Sequence, residues 1–144
     1  MLIKLMKSFE YDETGWNCRE SQLSNPSWDQ IESAVRRLDK FRFPFVWFFL
    51  SDQVFEDDVP EFEIMGGAGD YLLCVSAAGY FQRKLLYPEH GDTFIWTSDQ
   101  GNSAPAKHLC HDLDLVLEAV KYFNTTGGFS PKLIWETDRR IQED

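Results

Sequence analysis

The segment from Phe45 to Leu50, with the sequence FVWFFL, places the strongest constraint on the fold of this chain. The run is short, and its odd and even positions are both apolar, so neither side of an extended chain there is suited to water. Such a strand is typical of the interior of a sheet that is covered on both faces. We therefore expect Phe45–Leu50 to be a central strand.

Two amphipathic helices are predicted, one before and one after the strand-rich middle of the chain. Ser27 to Gln30 has the S-x-x-Q form of a capping box, and the apolar residues that follow recur at helical spacing, which predicts a helix over residues 28–39. A second helix is predicted over residues 112–123. Asp112 or Asp114 suits its start, and glycines at 127 and 128 end it.

The other apolar segments are predicted to be strands joined by turns. An edge strand is expected in the first seven residues, and later strands over residues 61–64, 71–76, 80–87, 94–97 and 133–135. Residues 12–26 and 98–107 are expected to be loops, and the tail at 137–144 to fray. This order predicts an α+β fold, with a single mostly antiparallel sheet of about five to six strands and two main helices packed on it. No repeat or linker divides residues 1–144, so one domain is expected.

The net charge of −10 and the pI near 4.7 limit the partners that the chain can bind. Binding to nucleic-acid phosphates or to anionic membranes needs clustered Lys and Arg, so neither is expected. A basic protein is the favoured partner, and the alternative is that the acidity only keeps the protein soluble. The three cysteines are widely spaced, and no signal peptide or membrane span is recognisable, which predicts a soluble protein of the cytoplasm.

The negative charge is concentrated in one part of the chain. No Lys or Arg stands between Arg42 and Arg83, and most carboxylates of this window fall between Asp52 and Glu63, beside the aromatic strand. An acidic run next to a rigid apolar strand can present a negative face to a cationic partner. The competing interpretation is a solvated charged surface with no partner.

No residue pattern in the chain meets the requirements of a catalytic or metal site. The turn Gly66–Gly69 is followed by a strand and has no Lys nearby, so a hairpin turn is favoured over a phosphate-binding loop. His108, Cys110 and His111 lack the second spaced pair that zinc sites use. No activated nucleophile is recognisable, and the paired carboxylates are explained as solvated or helix-start residues. We therefore expect no enzyme activity, no metal and no cofactor.

The second half of the chain follows one recognisable pattern. A glycine-rich turn leads into an apolar hairpin (FEIMGGAGDYLLCVSAAGYFQRKLLYP), and a loop (TFIWTSDQGNSAPAKHL) precedes a helix, a turn and a short strand (DLDLVLEAVKYFNTTGGFSPKLIWE). This pattern resembles the bacterial immunity proteins of polymorphic-toxin systems, in particular the family catalogued as immunity protein one. The resemblance covers residues 28–136 and leaves out the first 26. Its most specific residues are Glu118, Ala119, Phe123, Gly127, Pro131, Leu133 and Trp135.

The resemblance implies a cytoplasmic antitoxin that binds the C-terminal domain of a cognate secreted toxin, one to one, and blocks it. The toxins of such systems include nucleases and deaminases, whose substrate sites are basic. Charge complementarity then favours the acidic window as the toxin-binding surface. The predicted toxin-binding residues are Asp52, Glu56, Asp57, Asp58, Glu61 and Glu63, with Trp96 and Asp99 as weaker candidates.

Two other functions remain open at this point. The chain could be an acidic adaptor or regulator of a basic host protein, which would use the same surface. It could also be a small enzyme that uses His108, His111 and a carboxylate such as Asp112. Mutation of both histidines discriminates the enzyme from the two binding functions.

Overall fold

The computed structural model describes residues 1–56, 58–77, 81–85, 94–98 and 102–137. Its strands and helices follow in the order β1 (Leu5–Tyr11), β2 (Cys18–Ser24), α1 (Trp28–Arg36), β3 (Phe45–Phe49), β4 (Phe62–Gly67), β5 (Asp70–Ala77), β6 (Phe81–Leu85), β7 (Phe94–Ser98), β8 (Asn102–Pro105), β9 (Leu109–Cys110), α2 (Leu113–Thr126) and β10 (Trp135–Thr137). A single 3-10 turn at Ala106–His108 separates β8 from β9. Within the described ranges, no helix is long and apolar enough to cross a membrane.

The strands form a large antiparallel sheet and a small one. In the described part of the chain, the large sheet has eight strands in the order β10-β6-β5-β4-β3-β1-β2, and β9 pairs with the first half of β5. The strands β7 and β8 form a separate two-stranded sheet. The predicted α+β class, with a mostly antiparallel sheet and two main helices, is confirmed.

The N-terminal strands account for part of the difference from the expected strand number. The segment expected to be an edge strand is β1, and it lies inside the sheet between β2 and β3. The edge strand on this side of the sheet is β2, which lies inside the segment 12–26 that was expected to be a loop. Its sequence CRESQLS has no apolar alternation, and six of its seven residues are exposed. Backbone pairing with β1 therefore decides its conformation. The prediction of a loop over residues 98–107 was also wrong, because Asn102–Pro105 forms the strand β8, which pairs with β7.

Both helices begin with the predicted capping interactions. At α1 the backbone N–H of Ser27 donates to the Gln30 side chain (2.9 Å), and the N–H of Gln30 donates to Ser27 Oγ (3.2 Å), which completes the capping box. At α2 the carboxylate of Asp112 accepts from the N–H of Asp114 (2.9 Å). The first helix ends at Arg36, earlier than expected, and the second continues to Thr126, later than expected.

The main core lies between the helices and one face of the large sheet. Val46 and Phe48 of β3 pair with Ile64 and Phe62 of β4, so these four side chains share that face. All four are fully or almost fully buried, together with residues of both helices such as Ile31, Val35, Val120 and Phe123. The rings of Phe62 and Phe123 meet edge to face with their centroids 5.0 Å apart.

The opposite face of β3 carries the other aromatic side chains of the central strand. Phe45 and Trp47 are half-buried there, Phe49 is buried, and the ring of Phe9 lies 4.7 Å from the rings of both Phe45 and Trp47. Lys7 is also buried on this face, with its ammonium 5.4 Å from the centre of the Phe49 ring. The predicted central position of β3 is therefore confirmed.

Candidate protein-interaction site

The connection between β3 and β4 contains most of the predicted site. The two strands are antiparallel neighbours, and residues 50–61 join them; we call these residues the acidic loop. A tight hairpin needs only about 2 to 5 connecting residues, and longer connections in compact domains are frequently functional. Pro60 and Phe62 are buried, so the end of the acidic loop is fixed to the core.

Hydrogen bonds hold the base of the acidic loop closed. The backbone N–H of Leu50, at the start of the loop, donates to Oε2 of Glu61 at its end (3.2 Å). The N–H of Gln53 donates to the hydroxyl of Ser51 (3.1 Å). The carboxylate of Glu61 therefore bridges the two ends of the connection and is half-buried in doing so.

A reciprocal pair of hydrogen bonds orders the tip of the acidic loop. The backbone N–H of Phe55 donates to Oδ2 of Asp58 (2.7 Å), and the N–H of Asp58 donates to the carbonyl oxygen of Phe55 (3.0 Å). The second bond is the one that closes a β-turn. The first is charge-assisted and thus stronger than a neutral hydrogen bond.

Two apolar side chains of the acidic loop face solvent. Phe55 is 78% exposed and Val59 is 60% exposed. Removing them from water is favourable, and buried aromatic residues frequently dominate the binding energy of protein interfaces. Sequence reasoning missed Phe55 because it followed the charges, although a phenylalanine among carboxylates and outside any strand pattern was a usable signal.

The predicted carboxylates have different environments. Asp52, Glu56 and Asp58 lie in the acidic loop and are exposed. Glu63 lies on β4 opposite Trp47, where its carboxylate accepts a hydrogen bond from Nε1 of that residue, on the sheet face away from the helices. The sequence prediction thus joined loop carboxylates to one that belongs to a sheet face.

The other predicted site residues are Asp57, Trp96 and Asp99. Asp57 and Asp99 lie outside the described residues. Trp96 belongs to β7, of which the backbone path is described, and that strand packs near β4 and β5. These three residues therefore stay predictions.

The two histidines of the alternative enzyme site have different carboxylate partners. His108 is buried, and its Nε2 lies 3.8 Å from Oε2 of Glu136. Nδ1 of His111 lies 2.9 Å from Oδ1 of Asp70 and 3.0 Å from the carbonyl oxygen of Gly69. Asp112, the carboxylate proposed to act with them, accepts a backbone N–H at the start of α2. Across the described ranges, no three His, Cys, Asp or Glu side chains are grouped so that they could hold a metal ion.

A second concentration of carboxylates, at the far end of β1, is largely satisfied by neighbouring groups. Glu10 forms ion pairs with Arg42 and Arg19. The hydrogen bond from Arg42, and to a smaller extent that from Arg19, lowers the pKa of Glu10. The side chains of Thr14 and Asn17 donate to Asp12 and lower its pKa to about 2. A cleft of about 720 Å³ lies beside them, but these carboxylates already have donors.

Comparison with proteins of known structure supports the fold. The chain is similar to a hypothetical protein from Neisseria gonorrhoeae, with a TM-score of 0.62 and 14% sequence identity, over 92% of this chain and 93% of the other. At this identity the likeness concerns the fold alone. Neither the known protein families nor the curated proteins give a match. The resemblance to the immunity proteins therefore stays a prediction from the residues.

Proposed function

We propose that this protein is an immunity protein that binds and neutralises a cognate secreted antibacterial toxin, without being an enzyme itself. The observation that carries the proposal is the acidic loop, where the solvent-facing Phe55 stands among exposed carboxylates on an ordered turn. The net charge of −10 and the residue pattern of the second half of the chain support it.

The proposed mechanism is occlusion of the basic substrate site of a nuclease or deaminase. Such a site attracts the phosphates of nucleic acid, and a surface rich in carboxylates competes for the same positive field. Attraction between the two fields raises the rate of encounter and orients the acidic loop towards the site. Burial of Phe55 and Val59 then slows dissociation, since most differences in affinity between related complexes lie in that rate.

The direct test is a binding experiment with the product of the neighbouring upstream gene. Purified toxin C-terminal domain and this protein should form a one-to-one complex, and the complex should lack toxic activity. Absence of a complex at micromolar concentrations would overturn the proposal. A gene with no toxin gene beside it, together with capture of a basic host protein, would favour the alternative function as an acidic adaptor.

A matched pair of charge reversals tests whether the acidic loop is the binding surface. Glu56 and Glu13 are both exposed carboxylates for which the described structure gives no hydrogen bond or ion pair, so Glu56→Lys and Glu13→Lys alter the net charge equally. We expect Glu56→Lys to lower the association rate constant roughly three- to tenfold at low salt, and Glu13→Lys to lower it less than about twofold. The difference should largely vanish at about 0.5 M salt, where charges are screened. Equal effects of the two variants would remove the acidic loop from the interface.

A further inference from the structure

We infer that Phe55 is the anchor of this interface, and that Asp58 is a positioning residue that holds Phe55 in place. The partner surface that fits is a basic rim around an apolar pocket large enough for one phenyl ring. This inference rests on the proposed function and goes beyond it, because it divides the carboxylates of the acidic loop into two roles.

The contacts of Asp58 point to a structural role. Its Oδ2 accepts the backbone N–H of Phe55, and its own N–H donates to the carbonyl oxygen of the same residue. Two bonds to one residue fix the backbone of Phe55 while its side chain stays 78% exposed. Ordering the backbone before binding lowers the entropy cost of association, so a preformed turn raises affinity without adding a contact.

The other described carboxylates of the acidic loop divide between this structural role and a second one. The described structure gives Asp52 and Glu56 neither a hydrogen bond nor an ion pair, so their charges are available to a partner. The carboxylate of Glu61 is used at the base of the loop. Asp52 and Glu56 therefore act in the encounter, whereas Asp58 and Glu61 maintain the shape of the loop.

A second exposed phenylalanine shows why Phe55 suits a basic partner. Phe41 is 58% exposed, and its backbone N–H donates to Oδ1 of Asp39 (3.0 Å), much as that of Phe55 donates to Asp58. Phe41 precedes β3 and the acidic loop follows it, so they lie at opposite ends of that strand. Lys40 and Arg42 flank Phe41, whereas Glu56 follows Phe55. Lys40 and Arg42 are paired with Asp70 and Glu10, so the positive charge beside Phe41 is largely neutralised. The carboxylate of Glu56 has no such partner in the described structure, so the charge beside Phe55 is available to attract a basic surface.

Measurement of association and dissociation rates with the toxin domain tests the anchor. We expect Phe55→Ala to raise the dissociation rate constant about 30-fold or more, as for a residue that dominates an interface, with little change in association. Phe41→Ala, as the matched control, should change it less than about twofold. Equal effects of Phe55→Ala and Phe41→Ala would overturn the role of Phe55.

Two substitutions of Asp58 separate positioning from charge. Asp58→Asn removes the charge and keeps an oxygen that can accept the N–H of Phe55, whereas Asp58→Ala removes both. We expect Asp58→Ala to raise the dissociation rate constant roughly five- to tenfold, since the turn must then be ordered on binding. Asp58→Asn should stay within about threefold of the unmodified protein. Equal losses in both variants would mean that Asp58 acts through its charge, and would overturn its positioning role.

A readout without toxin keeps this inference separate from the proposed function. The ¹⁵N heteronuclear NOE of the Phe55 amide should be high in the free protein and in Asp58→Asn, and low in Asp58→Ala. A turn that is ordered in all three proteins would overturn the positioning role even if the toxin binds. A turn that depends on Asp58 in a protein that binds no toxin would overturn the proposed function and the anchor role of Phe55, and would leave the positioning role of Asp58 intact.

Discussion

Substitution of Gly67 by alanine tests how the connection between α1 and β3 is held against the sheet. Gly67 ends β4 with a φ of +128°, in the region that favours glycine, and forms a bridge with Asp39. A Cβ at this position would lie 2.3 Å from the carbonyl carbon of Leu38 and 2.4 Å from the nitrogen of Asp39. Both are backbone atoms, so no side chain can rotate to make room.

The magnitude follows from two separate costs. Holding alanine at this φ costs about 1–3 kcal/mol. Moving the backbone at residues 38 and 39 away from the new methyl group costs a further 1–3 kcal/mol or so, as for overpacking of a dense interior. We therefore expect Gly67→Ala to lower the free energy of unfolding by about 2–6 kcal/mol, a large part of the 5–15 kcal/mol or so that stabilises a typical domain.

Gly69→Ala is the matched control in the same turn. Gly69 has a φ of +94°, but a Cβ there would meet no atom within 4 Å, so only the conformational cost of about 1–3 kcal/mol applies. Urea unfolding followed by tryptophan fluorescence gives both free energies, provided that the m-values agree. If Gly67→Ala destabilises the protein no more than Gly69→Ala, the close approach of Leu38 and Asp39 to Gly67 is refuted.

Two further predictions concern the core and the pH dependence of stability. Phe123 is 1% exposed and packs on Phe62, so Phe123→Ala should cost about 3–5 kcal/mol in urea unfolding; a loss below about 1.5 kcal/mol would contradict the packing. The pKa of Asp12 is lowered from 3.8 to about 2 by hydrogen bonds that favour the carboxylate, so its contribution to stability is present above the unfolded-state pKa and is lost as the pH falls from about 4 towards 2. Asp12→Asn should therefore flatten the decline of stability over that range, and an unchanged decline would show that Asp12 does not contribute to it.

Local sequence patterns predicted the elements whose own residues determine their conformation. The capping box at Ser27–Gln30 placed the start of α1, and the apolar residues of FVWFFL placed β3 inside the sheet. The glycine turn at 66–69 was predicted to be a hairpin turn, and the pairing of Gly67 with Asp70 confirms it. In each case a short-range hydrogen bond, a burial pattern or a positive φ requires particular residue types.

Elements that depend on distant partners were not predictable in the same way. The strand β2 has a polar sequence and is a strand because β1 offers it an unpaired edge. The extension of α2 past Phe123 is stabilised by contacts with the N-terminal segment, where the side chain of Asn124 accepts the backbone N–H of Ile3 (3.0 Å). A hydrogen bond between residues so far apart in the chain leaves no trace in the sequence around either of them.

The structure also divides the carboxylates of the candidate site into two kinds, which the sequence does not distinguish. From the sequence alone, every acid between Asp52 and Glu63 counts equally as negative charge. In the fold, Glu63 accepts from Trp47, Glu61 joins the ends of the loop and Asp58 fixes the turn, so three of them are already used to build the surface. A carboxylate that already accepts a hydrogen bond within the protein attracts a partner less than a free carboxylate does, because part of its hydrogen-bonding capacity is used. The part of the acidic window that can attract a partner is therefore smaller than its composition suggests, and it is centred on Phe55.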